Sequence, residues 1–241
     1  MSRSDHAQER RARLLRIAAA TAFLAIIAVV VVVVVASGGG GSGTPSDHPA
    51  EVDAVDSLLA KMPQQGLTLG EPSAPVELIE YGDLQCPYCK EFSEAVLPQI
   101  IEGQVAAGKA KLSFRNFLII GPDSLPAGAA ALAAGQQGRG WNFIELFYRN
   151  QGEENSGYVT DGFLESIAAA AGVKDLPRWN AERRSPKLEK EAEATTAEAG
   201  GKLGFGATPS FAIRGPKSEG LELLGTPEGA RPIEEKIEEV S

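Results

Sequence analysis

Two cysteines, Cys86 and Cys89, are the only ones in the chain, and Pro87 and Tyr88 separate them. A pair of thiols this close can alternate between dithiol and disulfide, with the thiolate as the attacking species. Other roles for the pair fit less well. A Cys-x-x-Cys could be half of a zinc site, but zinc takes about four ligands. The only histidines are His6 and His48, far up the chain. Neither a metal nor another cofactor is expected. A purely structural disulfide here would close too short a loop to stabilise much. Inert buried thiols are the remaining alternative, but the polar turn at 82–85 predicts an exposed position for Cys86.

The pair sits where strand passes into helix. Residues 76–81 (VELIEY) are mostly apolar, bounded by Pro75 and Gly82, and predict a buried strand. From Cys86 toward Gly108, Phe92, Val96, Leu97, Ile100, Ile101 and Val105 recur at helical spacing, with a kink predicted at Pro98. Cys86 therefore opens a helix, where free N–H groups and the macrodipole favour a negative charge. Pro87 suits the first turn because its missing N–H is no loss there. Cys89, one turn on, can reach the same sulfur and resolve a mixed disulfide.

Residues 111–120 predict a second strand. A helical block follows over about 121–204, with stripes at 127–134, 141–148 and 163–171. Thr160 and Ser185 are the expected N-caps, Gly172 and Gly204 the expected stops. Strands resume at 210–214 and 221–224, and 233–240 closes the chain as a helix. Thr208-Pro209 stands just before the first of these late strands. Proline is tolerated at a strand's first residue, and beside an upstream Cys-x-x-Cys it is the expected second half of the site.

Charge and hydropathy divide the chain. Hydrophobic content of 43% and charged content of 23% fit a globular body, not a disordered one. Net charge is −9, yet residues 1–16 are basic, with five arginines against Asp5 and Glu9. So acidic a body excludes nucleic acid, whose phosphates need a basic face. Residues 17–36 are apolar but for Thr21 and carry no charge. About 20 such residues span roughly 30 Å as a helix, the thickness of a bilayer core. The arginines keep 1–16 cytoplasmic, so 17–36 is expected to be a single-pass anchor with the body outside. A cleaved signal peptide ending near Ala36 is the alternative. Residues 37–65 read as a flexible Gly/Ser tether and a short helix, and 66–241 as the folded domain.

VELIEYGDLQCPYCKEF (76–92), FLIIGPDSLPAGAAALAA (117–134) and GFGATPSFAI (204–213) together resemble the DsbA-like branch of the thioredoxin superfamily, in particular its membrane-anchored Gram-positive forms. The resemblance implies an α/β thioredoxin fold with an inserted helical domain. It implies a cis Pro209 beside the sulfurs, with Thr208 offering backbone hydrogen bonds to a substrate strand. Pro87 and Tyr88 complete the expected substrate-facing surface. Glu80, six positions before Cys86, matches an acidic residue that often lies beneath the disulfide and handles protons. Pro-Tyr replaces the Pro-His of the best-known oxidases, and Tyr88 cannot assist the thiolate as a cation. The expected function is a dithiol oxidase acting on thiols of exported proteins and recycled by a redox partner. A reductase, for instance in cytochrome c maturation, and a non-enzymatic tethered peptide-binding or chaperone module are the alternatives.

Overall fold

One mixed sheet organises the chain in the computed structural model, which describes Pro49 and residues 51–241. Its strands are β1 (Gln64–Gln65), β2 (Thr68–Leu69), β3 (Val76–Gly82), β4 (Ala110–Asn116), β5 (Ser210–Arg214) and β6 (Glu222–Gly225). They lie in the order β1-β2-β4-β3-β5-β6, with β3 and β4 parallel and every other pair antiparallel. The parallel pair needs a crossover, which α2 (Pro87–Ala95) and α3 (Leu97–Ile100) supply. The remaining helices are α1 (Val52–Leu59) before the sheet and α9 (Ala230–Val240) after it. Between β4 and β5 lie α4 (Ser124–Gly135), α5 (Gly140–Arg149), α6 (Asp161–Ala170), α7 (Leu176–Glu182) and α8 (Pro186–Ala197). This is the expected α/β fold with a helical insertion.

Strand β3 is central and buried on both faces, which is why VELIEYG reads as an almost continuous apolar run. Successive side chains alternate between faces. Val76 and Leu78 join the larger core, which includes Cys86, Cys89, Phe92 and α5, whereas Ile79 and Tyr81 join a smaller one with Phe117, Ala199 and Ala212. Glu80 shares the parity of Val76 and Leu78, so the strand aims a carboxyl into the layer beneath α2. The rings of Phe92 and Phe211, 4.7 Å apart between centroids, join α2 to β5. Every residue of α5 from Gly140 to Tyr148 is buried, making that helix the centre of the insertion.

The caps stand where expected: Thr160 accepts from Phe163 N–H and Ser185 from Leu188 N–H. Gly172 and Gly204 take the positive φ values that end those helices. Several expectations need correction. The second strand stops at Asn116, not residue 120, because the next amides find side chains instead of a neighbouring strand: Leu118 N–H donates to Thr196, and those of Ile119 and Ile120 to Asp83. The kink expected at Pro98 appears as a break at Val96, after which the helix resumes with Pro98 in its first turn, but the run then ends in an unexpected π turn (Ile101–Val105) closed by a bond from Ala106 N–H to the Ile101 carbonyl. A second π turn (Glu198–Lys202) extends α8. Strands β1 and β2 and helix α7 were not anticipated. The expected basic end, anchor and most of the tether lie outside the described residues. Among the described residues no helix is long and apolar enough to cross a membrane.

Candidate active site

The turn from β3 to α2 is held by one carboxylate. Asp83, fully buried, accepts from Gln85 N–H at 2.9 Å through Oδ1 and from the Ile119 and Ile120 N–H groups at 2.9 and 3.0 Å through Oδ2. Its carbonyl accepts from Cys86 N–H at 2.9 Å. The insertion grips the same turn. Gln151 Nε2 donates to the carbonyls of Leu84 (2.7 Å) and Cys86 (3.1 Å), and Gln85 bonds to Ser124 and to Asn155 N–H. Cys86 is the N-cap of α2 with extended backbone, and Pro87 occupies the first turn.

Both cysteines are free thiols. Cys86 is only 2% exposed and Cys89 is fully buried. The expectation of an exposed Cys86 is thus corrected: the turn is drawn inward by Asp83 and Gln151, and the segment around Thr208 lies against the sulfur. Cys86 Sγ donates to the Thr208 carbonyl at 3.4 Å, and the Thr208-Pro209 bond is cis, as the resemblance implied.

The two thiols are driven apart in acidity. Cys86 is pulled down to about 6, chiefly by the hydrogen bond from the Cys89 thiol, then by the Thr208 hydroxyl and the N–H groups of Cys89 and Tyr88; burial opposes this and loses. The Thr208 hydroxyl has no other partner among the described residues, and so is free to donate to the thiolate. Cys89 is pushed well above the usual thiol range, first by burial, then by its bond to Cys86 and by the charges of Cys86 and Glu80.

Beneath them Glu80 is 1% exposed, with Oε1 unpartnered. Burial, then Glu145 and Cys86, raise its carboxyl to about 8. Glu145 of α5 is itself fully buried and raised to about 7 by burial, against the pull of Ser93 and Arg149. The structure therefore brings Cys86, Cys89, Glu80, Pro87, Thr208 and Pro209 together and leaves Tyr88 on the surface, 70% exposed. Sequence reasoning missed Glu145, Asp83, Gln151 and Tyr148, whose hydroxyl lies 3.4 Å from the Asp83 carbonyl. For Asp83 the polar turn was a usable signal; for the others there was none.

A dithiol split into an acidic thiol at a helix start and a basic one inside it, over a protonated buried carboxyl and beside a cis proline, defines a thiol–disulfide oxidoreductase of the DsbA-like kind. Residues 63–224 match the thioredoxin family, and the chain belongs to it. It is 32% identical over 170 residues to the probable disulfide bond formation protein D of Bacillus cereus, covering 68% of this chain and 76% of that one. The oxidised crystal structure of BdbD from Bacillus subtilis shares its fold at a TM-score of 0.63 and 23% identity, over 73% of this chain and 96% of the other. Wolbachia pipientis alpha-DsbA1 does so at 0.61 and 22%, over 75% and 91%.

Proposed function

We propose that the protein is an extracytoplasmic dithiol oxidase that forms disulfides in exported proteins, with Cys86 as attacked sulfur, Cys89 as its partner and Glu80 as the proton donor to Cys89. The observation that carries this is the lowered pKa of Cys86. A stabilised Cys86 thiolate stabilises the reduced protein, and so makes the disulfide the stronger oxidant. The relatedness to a disulfide bond formation protein points the same way.

In the forward reaction a substrate thiolate attacks Cys86 Sγ. The bond between substrate sulfur and Cys86 forms as the Cys86–Cys89 bond breaks, and Cys89 leaves as a thiolate. Glu80, protonated near neutral pH, supplies the proton Cys89 takes up, and is reprotonated from solvent. A second substrate thiolate then attacks the substrate sulfur of the mixed disulfide and expels Cys86, a good leaving group because its thiol is acidic. The substrate loses two electrons, which the protein holds as its dithiol until a disulfide-bearing redox partner removes them. Thr208 and Pro209, with Pro87 and Tyr88, form the surface proposed to receive the substrate chain. Residues 17–36 are proposed to tether this domain to the membrane with residues 1–16 cytoplasmic.

Cys89→Ala should accumulate reductant-sensitive adducts with exported proteins on non-reducing gels, and Cys86→Ala should not. Absence of adducts from both, with the protein folded, favours the peptide-binding module. Equilibration of the domain against glutathione buffers tests direction: a dithiol more easily oxidised than glutathione overturns the oxidase reading.

A further inference from the structure

Glu145 has no part in the chemistry above, yet it is a fully buried acid built into the floor of the site. Ser93, one turn beyond Cys89 on α2 and itself 1% exposed, donates to Glu145 Oε1 at 2.9 Å. Arg149 Nη2 donates to Glu145 Oε2 at 3.4 Å, and its Nη1 donates to Glu51 Oε2 at 2.5 Å, where the Glu51 side chain is exposed. A line of polar contacts thus runs from the underside of the active-site helix to the surface. Its inner end is Ser93, and the carboxylate next in line, Glu145, is second to burial among the causes that raise Glu80.

We propose that Glu145 is a positioning residue for the thiol–disulfide reaction: held by Ser93 and anchored to the surface through Arg149 and Glu51, it adds to burial in holding the proton on Glu80. This rests on the reading of Glu80 as proton donor to Cys89. Burying an unpaired charge is costly, and two nearby carboxylates do not ionise together. Glu145 has a partner for its charge in Arg149 and a donor in Ser93, whereas Glu80 Oε1 has neither. The first charge therefore settles on Glu145 and leaves Glu80 neutral. The charged and titratable groups acting on Glu80 are Cys86, Cys89, Tyr148 and Glu145, and its strand neighbours Phe114 and Phe211 are apolar. Those acting on Glu145 are Arg149 and Glu94, besides Glu80. With Glu145 neutral, burial still raises Glu80, but its carboxyl ionises at lower pH than with Glu145 charged.

The test is a titration of the Glu80 side-chain carboxyl carbon by NMR in the reduced full-length protein, the signal assigned with Glu80→Gln. In Glu145→Gln the Glu80 midpoint should fall by more than about 0.3 pH unit, roughly a twofold change in the dissociation constant. A smaller fall, no change or a rise overturns the proposal, since a residue that merely packs α5 would not move this signal. Should that variant fail to fold, the wild-type curve decides. Coupled acids titrate in steps that belong to the pair, so the Glu80 carbon should respond across the Glu145 titration, and a single step with no such response overturns the coupling. The midpoint is read without turnover. If Glu80→Gln leaves mixed-disulfide formation unslowed while the Glu145→Gln shift is present, the donor reading fails and the coupling stands.

Discussion

At Cys86 and Cys89 the same element sets two thiols on opposite courses. Cys86 meets the free N–H groups at the start of α2, whereas Cys89 is enclosed by core. Alkylation of the reduced protein should therefore follow a midpoint near 6 and label Cys86, with Cys89 unreactive through pH 8. Mapping the modified residue by mass spectrometry across pH checks it, and early labelling of Cys89 contradicts it. These two residues were legible in the sequence because their chemistry is local: a strand end, a short turn, a proline and a helix start suffice. Pro209 was legible only in company with them. Glu145 was not legible at all. In WNFIELFYR an acid four places before Arg149 reads as a solvated ion pair on a helix face, and only the packing of α5 on every side shows otherwise.

Among the elements, the β3–α2 turn depends most on a single side chain. Asp83→Ala leaves three buried or half-buried N–H groups without their acceptor. At about 1–3 kcal/mol for the one fully buried group and less for the two half-buried ones, destabilisation of roughly 2 kcal/mol or more is expected by denaturant titration. Alkylation of Cys86 should lose its acidic midpoint in the same variant, because the helix start is no longer fixed. Thr160→Ala removes one N-cap bond remote from the thiols. It should cost about 1 kcal/mol and leave Cys86 reactivity as in the parent. The longer helices announced themselves, α6 through its cap and stripe and α8 through its Ser185 cap and Gly204 stop. Strands β1 and β2, two residues each, are too short to show an alternation. Helix α7 buries only Trp179 and so carries no stripe.

Across the whole domain, stability should depend on pH through buried carboxyls. In the disulfide form the thiols do not titrate, and burial is the first cause of the raised pKa of both Glu80 and Glu145. A raised acid binds its proton more tightly folded than unfolded, so stability is full below about 4.5 and is lost as pH rises through the raised pKa of each, toward 7 for Glu145. Without the Cys86 charge, Glu80 stays raised by burial and Glu145. Unfolding of the oxidised protein should thus become easier by a few kcal/mol between pH 5 and 8, at about 1.4 kcal/mol per unit for each such group. Glu80→Gln should flatten the slope and leave the Glu145 share; an unchanged slope contradicts the burial of an ionisable Glu80. Topology belongs to this scale as well: a tag at Ser241 should be open to protease on intact cells, and protection until lysis counts against the proposed anchor. The grip of the insertion on the turn also bears on engineering and descent. Gln151, Tyr148, Asn155 and Ser124 all come from the insertion and bond to residues 83–86 or their carbonyls. The Cys-Pro-Tyr-Cys segment is therefore no portable cassette. Transplanted alone onto a minimal thioredoxin it would arrive without its fastenings, and substitutions at 124 should drift in step with those at 85, whose side chains bond directly, wherever such chains diverge.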